Sequence, residues 1–293
     1  MQKIFLLDTE TTGVEASDKI CQLSYVLLDG NEYTIYDDLC NPQVALNFSA
    51  MCVNHITPEM VQDKPILTQT NAFTTLQQHN IQANIVVAHN AKFDLQMLAK
   101  DGFACQMQII DTLRCMKHLF KSSDSYSLQY LRYWLGLYKA EASFGEEIVA
   151  HSARGDVLIL KLLFDFLLKS ASITELIRLT QTPIFYEKFP FGKYKGQMIV
   201  DILSSDFGYC SYLLQGKIDD KDLIASVEYY IKDLGGNITH RFTVGKYKGK
   251  SASEIEDLGY LKWAYENMTT ISSGLKEDIA EKIKNTTSAN SLF

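Results

Sequence analysis

The stretch "IFLLDTETTG", residues 4–13, decides how this chain is read. Four apolar residues run straight into Asp8 and Glu10, as a buried strand would before its end. Side chains alternate along a strand, so two acids one residue apart share a face. Burying like charges side by side costs several kcal/mol unless a cation lies between them. A solvated strand end is the commoner explanation of such a pair, so other carboxylates in the chain must decide what Asp8 and Glu10 share.

The chain has 293 residues, 46% hydrophobic and 22% charged, which is globular composition and enough for one large domain with a smaller companion. Lys plus Arg total 28 against 35 Asp plus Glu, a net charge of −7, so no global field draws in a nucleic acid and any polyanion must be held by local chemistry. The six cysteines form no C-x-x-C pair and no zinc-like spacing to histidine; they read as reduced thiols, and the expected location is cytoplasmic. The most apolar segment, "VLILKLLFDFLL" at 157–168, is interrupted by Lys161 and Asp165 and is too short to span a bilayer, and "MQKIFLLD" is not a signal peptide. No membrane role is expected.

Residues 3–8, 20–29 and 32–40 read as strands, the latter two joined at Gly30-Asn31, a hairpin signal. "TPEMVQDK" suits a short helix with Pro58 in its first turn, and a polar helix is expected at about 67–79. "NIVVAH" at 84–89 reads as a buried strand, followed by a helix capped by Asn90 and stopping at Gly102. A strand near 106–110 and helices near 112–121, 127–136 and 152–169 complete an α/β layer structure, a mixed sheet flanked by helices.

Beyond residue 170 the pattern changes. A short helix near 173–180 leads into a repeat: "FPFGKYKGQMIVDI" (189–202) aligns without gaps to "FTVGKYKGKSASEI" (242–255), a spacing of 53, and "FGYCSYL" (207–213) matches "LGYLKWA" (258–264) with a small slip. The division expected is a first domain over 1–170, a linker with a short helix at 171–188, and a small α+β region of two related units, 189–240 and 241–293.

Three further residues bear on Asp8 and Glu10. In "AHNAKFD" Asp94 falls in the first turn of a helix, where complementing the helix dipole is a sufficient reason for an acid. In "HSARGD" (151–156) Asp156 opens the strongest helix, five residues after His151; on a regular helix that offset is roughly 140°, so the two share a pocket only if His151 lies at an irregular first turn. Together Asp8, Glu10, Asp94 and Asp156 are hard oxygen ligands suited to two Mg²⁺ or Mn²⁺ ions, the arrangement that serves phosphodiester cleavage. His151 would then be the general base, since a neutral imidazole can take the water's proton and histidine as a residue type titrates near working pH.

The blocks "DTETTG", "AHNAKFD" and "HSARGD", in this order, resemble the DEDDh family of 3′-to-5′ exonucleases, whose fold is ribonuclease H-like. The resemblance covers residues 1 to about 170. A sister branch carries tyrosine four residues before the last aspartate; here Ser152 stands there and histidine one place earlier, so the histidine branch is indicated. It implies that Asp8 bridges two metals, that Glu10 and Asp156 complete one site, that Asp94 supports the second ion and that His151 is the base. It further implies substrate contacts from Thr11, Thr12, Gly13, Val14, Asn90 and Phe93. "VNHITPEMVQDKP" (53–65) is similar to a segment of the exodeoxyribonuclease X group, which brings in His55 as a substrate contact or, equally, a helix cap. That group also carries a GKY-basic-G turn, once where this chain has two.

In an extended hairpin Lys193 and Lys195 face one side and Tyr194 the other, and likewise Lys246 and Lys248 against Tyr247. These lysines with Lys250 could contact phosphate, although residues 184–293 hold about as many acids as bases and paired glycines first answer a backbone need. The expected activity is metal-dependent 3′-to-5′ hydrolysis of single-stranded DNA to 5′-mononucleotides. A 3′-to-5′ exoribonuclease and a polymerase-associated proofreading or nucleic-acid-binding module are the alternatives.

Overall fold

Ile4–Thr11 forms the central strand β1 of a five-stranded sheet. The computed structural model describes residues 2–30, 32–145, 148–233, 240–242, 245–268 and 271–289. β2 (Ile20–Asp29) pairs antiparallel with β1 and β3 (Glu32–Leu39) antiparallel with β2; on the other side β4 (Ile85–Ala88) pairs parallel with β1 and β5 (Gln108–Asp111) parallel with β4, giving the order β3-β2-β1-β4-β5. Between β2 and β3, Asn31 of the expected turn lies outside the described residues.

Helices cover both faces. They are α1 (Phe48–Asn54), α2 (Pro58–Val61), α3 (Asn71–Gln78), α4 (Ala91–Ala99), α5 (Thr112–Leu119), α6 (Leu128–Trp134), α7 (Ala153–Leu168) and α8 (Ile173–Gln181). The expected helix at 67–79 is a 3-10 turn, Leu67–Gln69, followed by α3. Among the described residues up to 182, α1 and a 3-10 helix at Leu137–Phe144 have no counterpart in the sequence reading.

The alternation of β1 sorts the core. Leu6 packs with Val157, Leu160, Leu163 and Phe164 of α7, whereas Phe5 and Leu7 pack with Phe73 of α3 and Met97 and Leu98 of α4. Each fully buried Leu or Phe of α7 contributes roughly 1.5–3 kcal/mol, so this helix is firmly seated. Asp8 and Glu10 have the parity of Leu6 and therefore lie on the α7 side, while Thr9 has the parity of Leu7 and lies on the α4 side.

The chain divides into two compact units, residues 1–182 and 183–293. The stretch 171–188, read from sequence as a linker, is mostly not one: Leu176 and Leu179 of α8 are buried in the α7-side core. The boundary falls at Thr182-Pro183 instead.

The second unit holds the two repeat copies. In the first, Lys188 bridges Met198, Phe189 exchanges backbone bonds with the 196–197 segment, and α9 (Ile199–Ser205), α10 (Phe207–Tyr212) and α11 (Lys221–Asp233) follow. In the second, Arg241 bridges Ser251, Phe242 makes the matching bonds to 249–250, and α12 (Leu258–Asn267) and α13 (Ser273–Ala289) follow. Each copy has its own core, Phe189, Ile199 and Cys210 with Leu223 and Val227, against Phe242, Ala252 and Leu261 with Leu275 and Ile279. The slip in the alignment lies where the first copy forms the helix α9 and the second has only turns. Thr243 and Val244 of the second copy lie outside the described residues.

The GKYKG segments are turns rather than the expected extended hairpin, so strand alternation does not apply. Lys193 Nζ lies 4.6 Å from the Tyr194 ring centroid and pairs with Asp206 at 3.1 Å; Lys246 lies 4.8 Å from the Tyr247 ring and pairs with Asp257 at 3.2 Å. The same aspartates accept the Tyr194 and Tyr247 hydroxyls and cap α10 and α12. All six cysteines are free thiols, and among the described residues no helix is long and apolar enough to cross a membrane.

Candidate active site

The site forms where β1 ends. Asp8, Glu10 and Asp156 each offer a carboxylate oxygen, and these oxygens lie within 4.8 Å of one another. Asp8 and Glu10 are there because β1 carries them on its α7 face; Asp156 is there because Ser152 caps α7 through the Gly155 N–H, fixing where its first turn begins. A register shift between Glu10 and Thr11 ends the regular pairing of β1 with β2 at this point.

Asp94 arrives from the α4 side. Its Oδ1 accepts the Thr9 N–H at 3.1 Å and the Thr9 hydroxyl at 2.8 Å, and it is 3% exposed. The start of α4 is set by another strand. Asn90 precedes the helix with φ +75° and makes no side-chain cap; Asp111 at the end of β5 accepts the N–H groups of Asn90 and Ala91 and also that of Arg114, so one carboxylate caps α4 and α5 together.

His151 precedes α7 with φ +59°, the irregular geometry that the sequence spacing demanded. Its backbone N–H bonds the Asp156 carboxylate, while the residue itself is exposed.

Electrostatics sets this cluster apart. Two unit charges at such a separation repel by about 3–4 kcal/mol at an effective dielectric of about 20. Burial, then the charges of Asp94, Asp156 and Glu10, hold the Asp8 carboxyl well above the usual range. Burial and the Asp156 charge push Glu10 up to about 8, against a hydrogen bond from Asn54. Burial pushes Asp94 up to about 7 despite the Thr9 bonds, and Asp156 up to about 6 despite His151 and Gln129. The Arg132 guanidinium also acts on Asp156, but it is bound in a fork to Glu141 at 2.5 and 2.6 Å. The three crowded hard-oxygen donors Asp8, Glu10 and Asp156, with Asp94 adjoining, fit a divalent cation such as Mg²⁺ or Mn²⁺.

Residues not anticipated from sequence support this arrangement. Gln129 of α6 donates to Asp156 Oδ1 at 2.6 Å, and Arg132 donates to Gln129 Oε1 at 3.3 Å, so a relay from Glu141 through Arg132 and Gln129 holds the last aspartate. Asn54 of α1 donates to the Thr11 carbonyl at 3.2 Å besides bonding Glu10. No sequence signal marks either, because each acts across distant segments.

The other sequence-named positions divide. Thr11 and Thr12 are buried and their hydroxyls are engaged locally, with the Gly13 carbonyl at 2.7 Å and Asp18 Oδ1 at 2.7 Å. A Cβ on Gly13 would meet Asp18 Oδ2 at 2.4 Å, so a larger residue there would displace the Asp18 side chain. Val14 is 78% exposed. His55 ends α1 in a left-handed conformation, its N–H on the Met51 carbonyl; it terminates the preceding helix rather than capping the following one. Phe93 is half-buried and packs against the α4-side core. The five lysines belong to the second unit, at the turns described above.

Comparison with known proteins decides the assignment, since the exonuclease family model RNase T matches residues 5–164, more than half of the chain. The chain belongs to the RNase T exonuclease family. Exodeoxyribonuclease 10 of Escherichia coli (strain K12) is 26% identical over 214 residues, covering 71% of this chain and 89% of that protein. The DNA polymerase III subunit epsilon of Treponema pallidum (strain Nichols) is 30% identical over 143 residues, 44% of this chain and 63% of that protein. Among solved structures, exonuclease X in complex with 5′ overhanging duplex DNA is 21% identical, with a TM-score of 0.46 over 61% of this chain and 99% of that one. The Asp8, Glu10 and Asp156 cluster lies within the matched region.

Proposed function

We propose that this exonuclease trims single-stranded DNA from its 3′ end, releasing 5′-mononucleotides with the aid of two divalent metal ions. The observation that carries the reading is the convergence of Asp8, Glu10 and Asp156 within 4.8 Å at the end of β1, with Asp94 tied to the adjoining Thr9. Asp8, Glu10 and Asp156 would hold one ion, and Asp8 with Asp94 the other. When bound, such ions supply Lewis acidity toward the attacking water and the leaving oxygen.

The chain's own groups do the rest. His151, exposed next to Asp156, accepts the proton of the attacking water on its imidazole. Thr11, Thr12 and Gly13 shape a loop pinned by Asp18 and Asn54, which lies next to Glu10 and fits a role in seating the terminal nucleotide. Asn90, Phe93, Val14 and His55 are further candidate contacts with the substrate. The DNA assignment is supported by the relative named an exodeoxyribonuclease, which aligns over most of its own length.

The test uses 5′-labelled single-stranded DNA, duplex DNA and RNA of one sequence with Mg²⁺, Mn²⁺ or chelator. The expected result is a ladder that shortens from the 3′ end of single-stranded DNA, with metal only, and that Asp8→Ala and His151→Ala suppress. No shortening of any substrate would refute the reading; faster shortening of RNA would transfer it to an exoribonuclease.

A further inference from the structure

The residues shared by the two GKYKG copies divide into those that the fold uses and those that it leaves over. The first glycine, Gly192 or Gly245, has φ of +80° or +84°, and the hydroxyl of Tyr209 or Tyr260 stands 2.8 Å from where a Cβ would be. Tyr194 or Tyr247 donates to the capping aspartate, and Lys193 or Lys246 pairs with it. These positions are accounted for by the turn itself.

Two others are not. Lys195 and Lys248 are exposed, and their ammonium groups have no ion-pair or hydrogen-bond partner among the described residues. One helical turn beyond Tyr209 and Tyr260, Tyr212 and Trp263 occupy matching places and are 50% and 52% exposed. In the second copy the aromatic series is continuous: the Trp263 ring lies 5.7 Å from Tyr260, which lies 4.8 Å from Tyr247, over which Lys246 and Lys250 stand at 4.8 and 5.9 Å. In the first, Lys193 reaches both Tyr194 and Tyr209, at 4.6 and 6.0 Å.

We infer that each copy is a binding module for single-stranded nucleic acid, in which a base stacks on Tyr212 or Trp263 and the adjoining lysines hold phosphate. Open aromatic faces beside cations suit such a strand, because every base offers a π-face and every linkage a negative charge. The chain as a whole is net −7, so attraction for a polyanion has to be local, as it is here. The second copy has Lys250 and Lys262 where the first has Gln197 and Ser211, and it is the tighter of the two. The inference rests on the reading of the chain as a nuclease of single strands, for which a second grip keeps the substrate at high local concentration.

Trp134 and Trp263 are the chain's two tryptophans, so the full-length Trp134→Phe protein has Trp263 as its sole reporter. Titrating it with an oligo-dT of about 15 nucleotides, in chelator to prevent cleavage, should give saturable quenching that weakens with salt. Tyr212→Ala with Trp263→Ala should weaken binding, read by anisotropy, at least about tenfold. Lys195→Glu with Lys248→Glu, surface changes that spare the core, should flatten the salt dependence. Absence of quenching, or unchanged affinity and salt slope in both double variants, overturns the inference. Trimming of a labelled trinucleotide by the wild type, too short to engage a second grip, reads the nuclease assignment separately.

Discussion

The end of β1 and the GKYKG turns are both crowded with charge, and they treat it in opposite ways. In each turn one aspartate meets a lysine, a tyrosine hydroxyl and a helix N–H, so the charge is compensated where it stands. At β1, Asp8, Glu10 and Asp156 crowd together with Asp94 adjoining, and their carboxyls are raised, to about 6 to 8 where a value is resolved. Compensated charge is a folding device. Like charges held together and offset only by hydrogen bonds are a cost to the fold that a bound divalent cation would relieve.

The sharpest way to break this contrast is Asp8→Asn. It should lower cleavage by about 10³-fold or more, yet in chelator it should melt above the wild type, because a repelling buried acid is gone. Lower stability in chelator would place Asp8 among structural acids. His151→Ala should cost on the order of 10²–10³-fold in turnover with little change in melting, as the residue is exposed. Gln129→Ala frees Asp156 from its relay and should cost roughly 10- to 100-fold, recovered in part by raised metal concentration; an effect indifferent to metal would mean that Gln129 only supports the fold.

The pH dependence follows from the same four acids. Their folded pKa values lie above the unfolded ones, so in chelator they favour the folded state below about pH 4, and that contribution is lost as pH rises through about 6, 7 and 8 for Asp156, Asp94 and Glu10. Thermal melts in chelator should therefore fall across this window, and added Mg²⁺ should restore them most at the alkaline end. The smallest effect belongs to the turns: Asp206→Ala removes a cap and two side-chain partners and should destabilise its copy by about 1 kcal/mol, measured by urea unfolding. Asp257→Ala should act in the same direction on the second copy.

Much of the site was legible because its members lie at the ends of regular elements. β1 ends in a period-two pair, α7 begins with an acid after a capping serine, and the spacing of His151 required a break in helical geometry, which its left-handed backbone supplies. What escaped notice acts between segments: Gln129 on α6, Asn54 on a short α1, and Asp111 capping a helix that begins 20 residues earlier in the chain. Strand alternation does not hold in the lysine turns, because their glycines have positive φ. Likewise 171–188 looked like a linker, since only contact with the core shows that Leu176 and Leu179 are buried.

The sequence by itself determined the identity and number of the carboxylates, the strand and helix periods that carry them, and the repetition of the C-terminal unit, because these depend on spacing along one chain. Only the tertiary structure decided that Asp94 is fastened to β1 by Thr9, that a relay from Glu141 steadies Asp156, and that the first lysine of each turn is paired while the second has no partner among the described residues. Those outcomes depend on which distant groups share a pocket, and proximity through space leaves no period in the sequence to read.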